Sequence, residues 1–156
     1  MSLLTACTDF GTYTSMPAPL GHGVRILVVE DDPVQALVLM LFLERLGVVA
    51  TLVSDGDRAV DAAQSHPFSM ILMDYLMPTT NGVEATRAIR RWERAAGRTP
   101  VPIVAVTASA MKDECKAYLD AGMNDVLAKP FSARDLRDLL MRYLTVEERG
   151  RAQGMK

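Results

Sequence analysis

Short apolar runs alternate with longer segments of helical periodicity between residues 24 and 145. Such alternation is typical of βα units, which build a parallel sheet. It predicts strands at 25–29, 48–53, 69–73, 101–106 and 125–128, and helices at 33–46, 56–65, 82–95, 110–120 and 132–144. Because crossovers between parallel strands are almost always right-handed, we expect helices on both faces of the sheet.

Several of the predicted helices carry recognisable start and stop signals. Pro33 suits a first helical turn, and Ser132 is placed to cap the N-terminus of the last helix. Gly47, Gly97 and Gly122 each follow a helical pattern, where a left-handed C-terminal residue is expected. These signals support the predicted boundaries.

The chain has 156 residues, a length typical of one domain. Residues 1–23 contain Thr, Ser, Gly and Pro without periodicity, which predicts a disordered arm or linker. We therefore expect one domain at 24–145, followed by a polar tail at 146–156.

Charge and composition exclude several classes of protein. The net charge is −2, so no strongly basic surface for nucleic acid is expected. No apolar stretch reaches the roughly 20 residues that cross a bilayer, so we expect no membrane contact. Cys7 and Cys115 provide neither a disulfide framework nor a metal cluster, which favours a cytoplasmic location.

Polar side chains follow four of the predicted strands at their carboxyl ends. Glu30 and Asp31 follow the first strand and Asp74 follows the third. Thr107 follows the fourth strand and Lys129 the fifth. Because ligands of open α/β sheets gather at the carboxyl ends of the strands, we expect these residues to form one site.

The residue types of this site favour phosphoryl transfer. Like charges about 4 Å apart repel by about 4 kcal/mol at an effective dielectric of 20, so the three acids would hold extra protons or recruit a cation. Hard oxygen ligands favour Mg²⁺. Together with the charge of Lys129 and the hydroxyl of Thr107, they suit transfer of a phosphoryl group onto Asp74.

Four ordered motifs resemble those of the response-regulator receiver domain, namely VVEDDP at 28–33, MDYLMP at 73–78, VTA at 106–108 and AKP at 128–130. The resemblance covers residues 24–145. It implies a flavodoxin-like α/β fold, a doubly wound five-stranded parallel sheet in the order 2-1-3-4-5 with five helices. It also implies Mg²⁺-dependent phosphoryl transfer from a phosphohistidine to Asp74, which switches partner interactions.

The resemblance also implies roles for individual residues. Asp74 would be the phosphoacceptor and a metal ligand. Asp31 would bind the metal directly, Glu30 would bind it through a water, and the backbone carbonyl of Leu76 would be a further ligand. Thr107 and Lys129 would bind the phosphoryl oxygens. Lys129–Pro130 would be a cis peptide. The domain would catalyse its own phosphorylation and dephosphorylation, with a histidine kinase or a histidine-phosphotransfer domain as its partner.

Two segments, at 82–90 and 121–125, look like receivers of hybrid sensor kinases and phosphorelays. A free-standing regulator and a fragment of a hybrid kinase both fit this similarity. One position departs from the family, since many receivers carry an aromatic residue that reports rotation of the hydroxyl residue where this chain has Val126. Switching through an aromatic ring at that position is therefore not expected.

The helix predicted at 33–46 contains eight consecutive apolar residues, more than one buried stripe requires. We expect Val34, Leu37, Met40 and Leu41 to be exposed and to dock a helix of the phosphodonor. Cover by the N-terminal arm or a homodimer contact are alternatives, and a monomer or weak dimer is expected.

Other readings of the same residues remain open. An aspartyl phosphatase resembling the haloacid dehalogenase family would need an acid at the position of Leu76, and a degenerate receiver would serve only as a binding module. Asp32 is expected to cap the helix that begins at Pro33. Five arginines of the helix predicted at 82–95 and the residues after it suggest a solvated basic face, or a contact for an acidic partner: Arg87, Arg90, Arg91, Arg94 and Arg98.

Overall fold

Five parallel strands form one sheet with helices on both faces. The computed structural model describes residues 23–75, 81–109 and 111–144. The elements are β1 Arg25–Val29, α1 Pro33–Arg45, β2 Val49–Val53, α2 Gly56–Ser65, β3 Met70–Asp74, α3 Gly82–Ala95, β4 Ile103–Thr107, α4 Lys112–Ala121, β5 Asp125–Ala128 and α5 Ala133–Tyr143. The strand order β2-β1-β3-β4-β5 confirms the predicted topology.

Both faces of the central strands are buried, which explains their uninterrupted apolar sequence. The side chains of alternate strand residues point to opposite faces of the sheet, and each face has its own core. Ile26 of β1 belongs to the core beneath α1 and α5, and Leu27 belongs to a second core on the other face. That second core receives Ile89 of α3 and Tyr118 of α4. All residues of β3 and β4 are buried, and these two strands fix the centre of the sheet.

The predicted helix boundaries rest on caps that the structure contains. The Asp32 side chain accepts hydrogen bonds from the Val34 and Gln35 amides, so its expected capping role is confirmed. Ser132 and Asp135 form a capping box at the start of α5. The three predicted C-terminal glycines, Gly47, Gly97 and Gly122, all have positive φ.

One member of the predicted basic face is in fact buried. Arg90 is 9% exposed and donates to Glu93 at 2.7 Å, to the Gly122 carbonyl at 2.9 Å and to Asn124 Oδ1 at 2.9 Å. Asn124 Oδ1 also accepts the Ile103 amide. Arg90 therefore connects α3 to the turn between α4 and β5. The other four arginines of the predicted basic face are exposed.

The predicted arm at 1–23 and the tail at 146–156 lie outside the described residues, apart from position 23. Within residues 23–75, 81–109 and 111–144, no helix combines the length and apolar character that a bilayer crossing demands.

Candidate functional site

The register of the sheet brings the predicted site residues to one edge. Asp74 pairs with Val106 across β3 and β4, and Thr107 pairs with Ala128 across β4 and β5. Val106 directly precedes Thr107 in β4, and Ala128, the last residue of β5, directly precedes Lys129. The carboxyl ends of β1, β3, β4 and β5 therefore open into the same space.

That space is a pocket of about 650 Å³. Five predicted site residues line it: Glu30, Asp31, Asp74, Thr107 and Lys129. The predicted metal contact of the Leu76 carbonyl lies outside the described residues. The Lys129–Pro130 peptide beside the pocket is cis, as expected.

The three acids lie close enough to share one cation. Glu30, Asp31 and Asp74 each offer a carboxylate oxygen, and these oxygens lie within 4.8 Å of one another. Glu30 and Asp74 are 4% and 8% exposed, whereas Asp31 is open to solvent. Oxygen ligands, one of them accessible to water, match the preference of Mg²⁺ for carboxylates with retained waters.

The surroundings of Asp74 disfavour the ionised form of its carboxyl group. Burial, the charge of Glu30 and a hydrogen bond with Glu30 raise the pKa of Asp74 from 3.8 to about 7. Lys129 opposes this rise and Asp31 adds to it. A bound cation would favour the ionised form of Asp74, because its positive charge would offset the effects of burial and of the neighbouring carboxylates.

Lys129, which directly follows β5, contacts the acidic cluster through Glu30, which directly follows β1. Its Nζ lies 3.4 Å from Glu30 Oε2 and also donates a hydrogen bond to Gln35 on α1. Gln35 was not predicted as a site residue, because the sequence alone gives no sign that the first turn of α1 meets the end of β5. These two contacts hold the ammonium group over the pocket.

Gly82, the first residue of α3, lets that helix approach Asp74 closely. A Cβ at this position would lie 2.7 Å from the Asp74 carbonyl oxygen and 2.9 Å from Met73 Cγ. The Gly82 amide donates to the Tyr75 carbonyl at 3.3 Å. The absence of a side chain therefore lets the start of α3 pack directly against the backbone that carries Asp74.

Thr107 has two hydrogen-bond donors beside it that the sequence did not predict. The Ser109 amide donates to Thr107 Oγ1 at 3.1 Å, and the Tyr118 hydroxyl donates to the same atom at 3.4 Å. The helical pattern placed Tyr118 on α4, but it could not show which side of α4 faces the end of β4.

The predicted docking patch is mostly exposed. Val34, Leu37 and Leu41 are 71%, 59% and 44% exposed. Met40 was predicted to belong to this patch, but it is half-buried and packs against the core beneath α1. Val38, at 45% exposure, belongs to the exposed face instead.

Comparison with known proteins identifies relatives of the same domain. The sequence profile of the response regulator receiver domain matches residues 26–141. The sensor histidine kinase GacS of Pseudomonas protegens is 41% identical over 119 residues, which are 76% of this chain and 13% of GacS. The chain thus spans a small fraction of the length of this curated relative.

Two solved structures share the fold. The receiver domain of sensor histidine kinase PA1611 from Pseudomonas aeruginosa, with a magnesium ion coordinated in its active-site cleft, is 43% identical; the match has a TM-score of 0.70 and covers 77% of this chain and 96% of that one. A co-crystal structure of the Saccharomyces cerevisiae histidine phosphotransfer protein Ypd1 and the receiver domain of Ssk1 matches at 29% identity and TM-score 0.75, over 80% and 91% of the two chains. The fold, the profile and these similarities together show that the chain belongs to the response regulator receiver domain family of two-component and phosphorelay systems.

Proposed function

We propose that Asp74 accepts a phosphoryl group from a phosphohistidine donor and that its phosphorylation switches partner binding. The observation that carries the proposal is the shared pocket, in which Asp74 lies with two acids, Lys129 and Thr107. A degenerate receiver would lack one of these groups. The aspartyl phosphatase alternative has no supporting acid at the position of Leu76.

Magnesium is the cation that this site would hold. The clustered oxygens of Glu30, Asp31 and Asp74 fit it, and the related PA1611 receiver contains it in its cleft. Asp31 and Asp74 would bind the ion directly, Glu30 through a water, and the Leu76 carbonyl remains a predicted ligand. When bound, the ion would neutralise charge on the phosphoryl oxygens.

The protein groups have separate tasks in the transfer. An Asp74 carboxylate oxygen forms a bond to phosphorus while the bond from phosphorus to the donor imidazole nitrogen breaks, and its electron pair returns to that nitrogen. The Lys129 ammonium and the Thr107 hydroxyl are placed to bind phosphoryl oxygens. In dephosphorylation, a water oxygen forms a bond to phosphorus while the bond from phosphorus to the Asp74 oxygen breaks, so that phosphate leaves and the carboxylate is restored.

Uptake of label from a small phosphodonor tests the acceptor role. Wild-type protein with Mg²⁺ and radiolabelled acetyl phosphate should become labelled, and Asp74→Asn should not. Asp61→Asn is the matched control, because Asp61 is exposed on α2 and does not line the pocket. Label retained on Asp74→Asn would place the acceptor elsewhere.

The donor would dock on the exposed face of α1, formed by Val34, Leu37, Val38 and Leu41. Val34 and Val38 also line the pocket that contains Asp74, so a donor whose histidine reaches Asp74 would lie beside this face. An apolar helix face provides the spaced anchors that such helical contacts use. The Ypd1 complex of the related Ssk1 receiver supports a histidine-phosphotransfer domain as the partner.

Phosphotransfer from a protein donor tests the docking face. Leu37→Glu should slow transfer from a phosphorylated histidine-phosphotransfer domain and leave acetyl phosphate uptake unchanged. Leu119→Glu is a matched control, because Leu119 is an equally exposed leucine on α4, at 54% against 59% for Leu37. Equal loss with both donors would rule out docking through α1.

A cytoplasmic location and a monomeric or weakly dimeric state complete the proposal. The location rests on the two cysteines, too few for a disulfide framework. Sedimentation at increasing concentration tests the assembly state, and a tight dimer would contradict it.

A further inference from the structure

The ring of Tyr118 connects α4 to the phosphorylation site. Its side chain is fully buried, and its hydroxyl donates to Thr107 Oγ1 at 3.4 Å. The ring stands edge-on to Tyr75, with centroids 4.8 Å apart and planes at 67°. Because Tyr75 follows Asp74 directly, Tyr118 contacts the ends of both central strands that supply the site.

The hydrogen bonds that the Thr107 hydroxyl accepts determine which further hydrogen bond it can form. A hydroxyl has one donor and two acceptor positions. At Thr107 the Ser109 amide and the Tyr118 hydroxyl fill both acceptor positions, at 3.1 Å and 3.4 Å. The Thr107 proton is then left to donate, and the pocket that it shares with Asp74 is where a phosphoryl oxygen would accept it.

Tyr118 is suited to remain a donor. An ordinary tyrosine hydroxyl, with a pKa of 10.0, already keeps its proton at neutral pH; burial raises the pKa of Tyr118 further, while the hydrogen bond with Thr107 opposes the rise. Val126, whose side chain packs against the same core cluster, carries no polar atom that could compete for Thr107. The ring that contacts the hydroxyl residue therefore comes from α4 and not from β5.

We propose that Tyr118 is a positioning residue for phosphorylation. Its hydroxyl occupies an acceptor position of Thr107 and so directs the Thr107 proton to the phosphoryl group on Asp74. The inference rests on the proposed function, since it needs a phosphoryl group at Asp74.

Removal of the phenol oxygen tests the role. Tyr118→Phe keeps the buried ring and should lower the initial rate of acetyl phosphate labelling by about 2-fold to 10-fold, the range expected for one neutral hydrogen bond. Tyr143→Phe is the matched control, because the Tyr143 hydroxyl bonds Asn124 and Asp125 away from the pocket. It should label at the wild-type rate.

A double-mutant cycle separates positioning from a general structural effect. In a Thr107→Ala background the substitution Tyr118→Phe should have no further effect on labelling, because the atom through which it acts is gone. The same slowing in both backgrounds, or a wild-type rate for Tyr118→Phe alone, would overturn the inference while Asp74 remains the acceptor. Wild-type protein that takes up no label would instead overturn the proposed function and this inference with it.

Discussion

Replacement of Asp74 by asparagine should stabilise the metal-free protein, by an amount that grows with pH. The pKa of Asp74 rises from 3.8 to about 7 on folding, chiefly through burial and then through the charge of Glu30. Each unit of pKa corresponds to about 1.4 kcal/mol. Ionised Asp74 therefore destabilises the folded state by about 4 kcal/mol, a cost that asparagine does not carry.

The direction of the pH dependence follows from proton binding. Between pH 4 and pH 7 the folded state holds the Asp74 proton more firmly than the unfolded state, so stability falls as the pH rises. The expected advantage of Asp74→Asn is under about 1 kcal/mol at pH 4, about 2 kcal/mol at pH 5 and about 4 kcal/mol at pH 8. Below about pH 3 the side chain at position 74 is largely neutral in the folded and unfolded states of both proteins, so the advantage disappears.

Urea unfolding of both proteins in a chelator, at pH 5 and pH 8, measures this difference. Comparison with Asp74→Asn cancels the titration of groups that do not interact with position 74, and Asp61→Asn should behave as wild type. Added Mg²⁺ should stabilise the wild type more than Asp74→Asn, because a ligand that binds only the folded state raises its stability. An advantage that is the same at both pH values, or no advantage at pH 8, would refute the reasoning.

Three further substitutions test other parts of the structure by urea unfolding. Arg90→Met should cost about 3 kcal/mol, because Glu93, 3% exposed, would keep a buried charge without its partner; a cost below about 1 kcal/mol would contradict this. Ser132→Ala should cost about 1 kcal/mol through loss of the capping box, and an unchanged midpoint would refute the cap. Gly82→Ala should cost about 1–3 kcal/mol and slow labelling of Asp74, because its Cβ would meet the Asp74 carbonyl at 2.7 Å; wild-type labelling would show that the backbone adapts freely.

The central strands could be predicted from the sequence because they are buried on both faces, whereas the strand order followed from the resemblance to receiver domains. An uninterrupted run such as residues 70–73 has few other placements in an α/β protein. Strand ends shifted by one or two residues, as at β4, which begins at Ile103 and not at 101. Pairing with β3 begins at Ile103, directly after Pro102, which has no amide hydrogen to donate to a strand ladder.

The side-chain contacts between elements could not be predicted in the same way. Arg90 looked like part of an exposed basic stripe, but its carbonyl and amide partners come from the turn before β5. Gln35 and Tyr118 meet Lys129 and Thr107 only because α1 and α4 lie against particular strand ends. Such contacts depend on the rotation of each helix about its axis, which helical periodicity fixes only coarsely.

Chemical location of the phosphoryl group tests the central claim most directly. Borohydride reduces an acyl phosphate to an alcohol, so wild-type protein treated with acetyl phosphate and Mg²⁺ and then reduced should carry homoserine at position 74, as read by mass spectrometry of its peptides. Omission of Mg²⁺ should abolish the product. Reduction at another acid, or at none, would contradict the claim that the pocket around Asp74 carries an acyl phosphate.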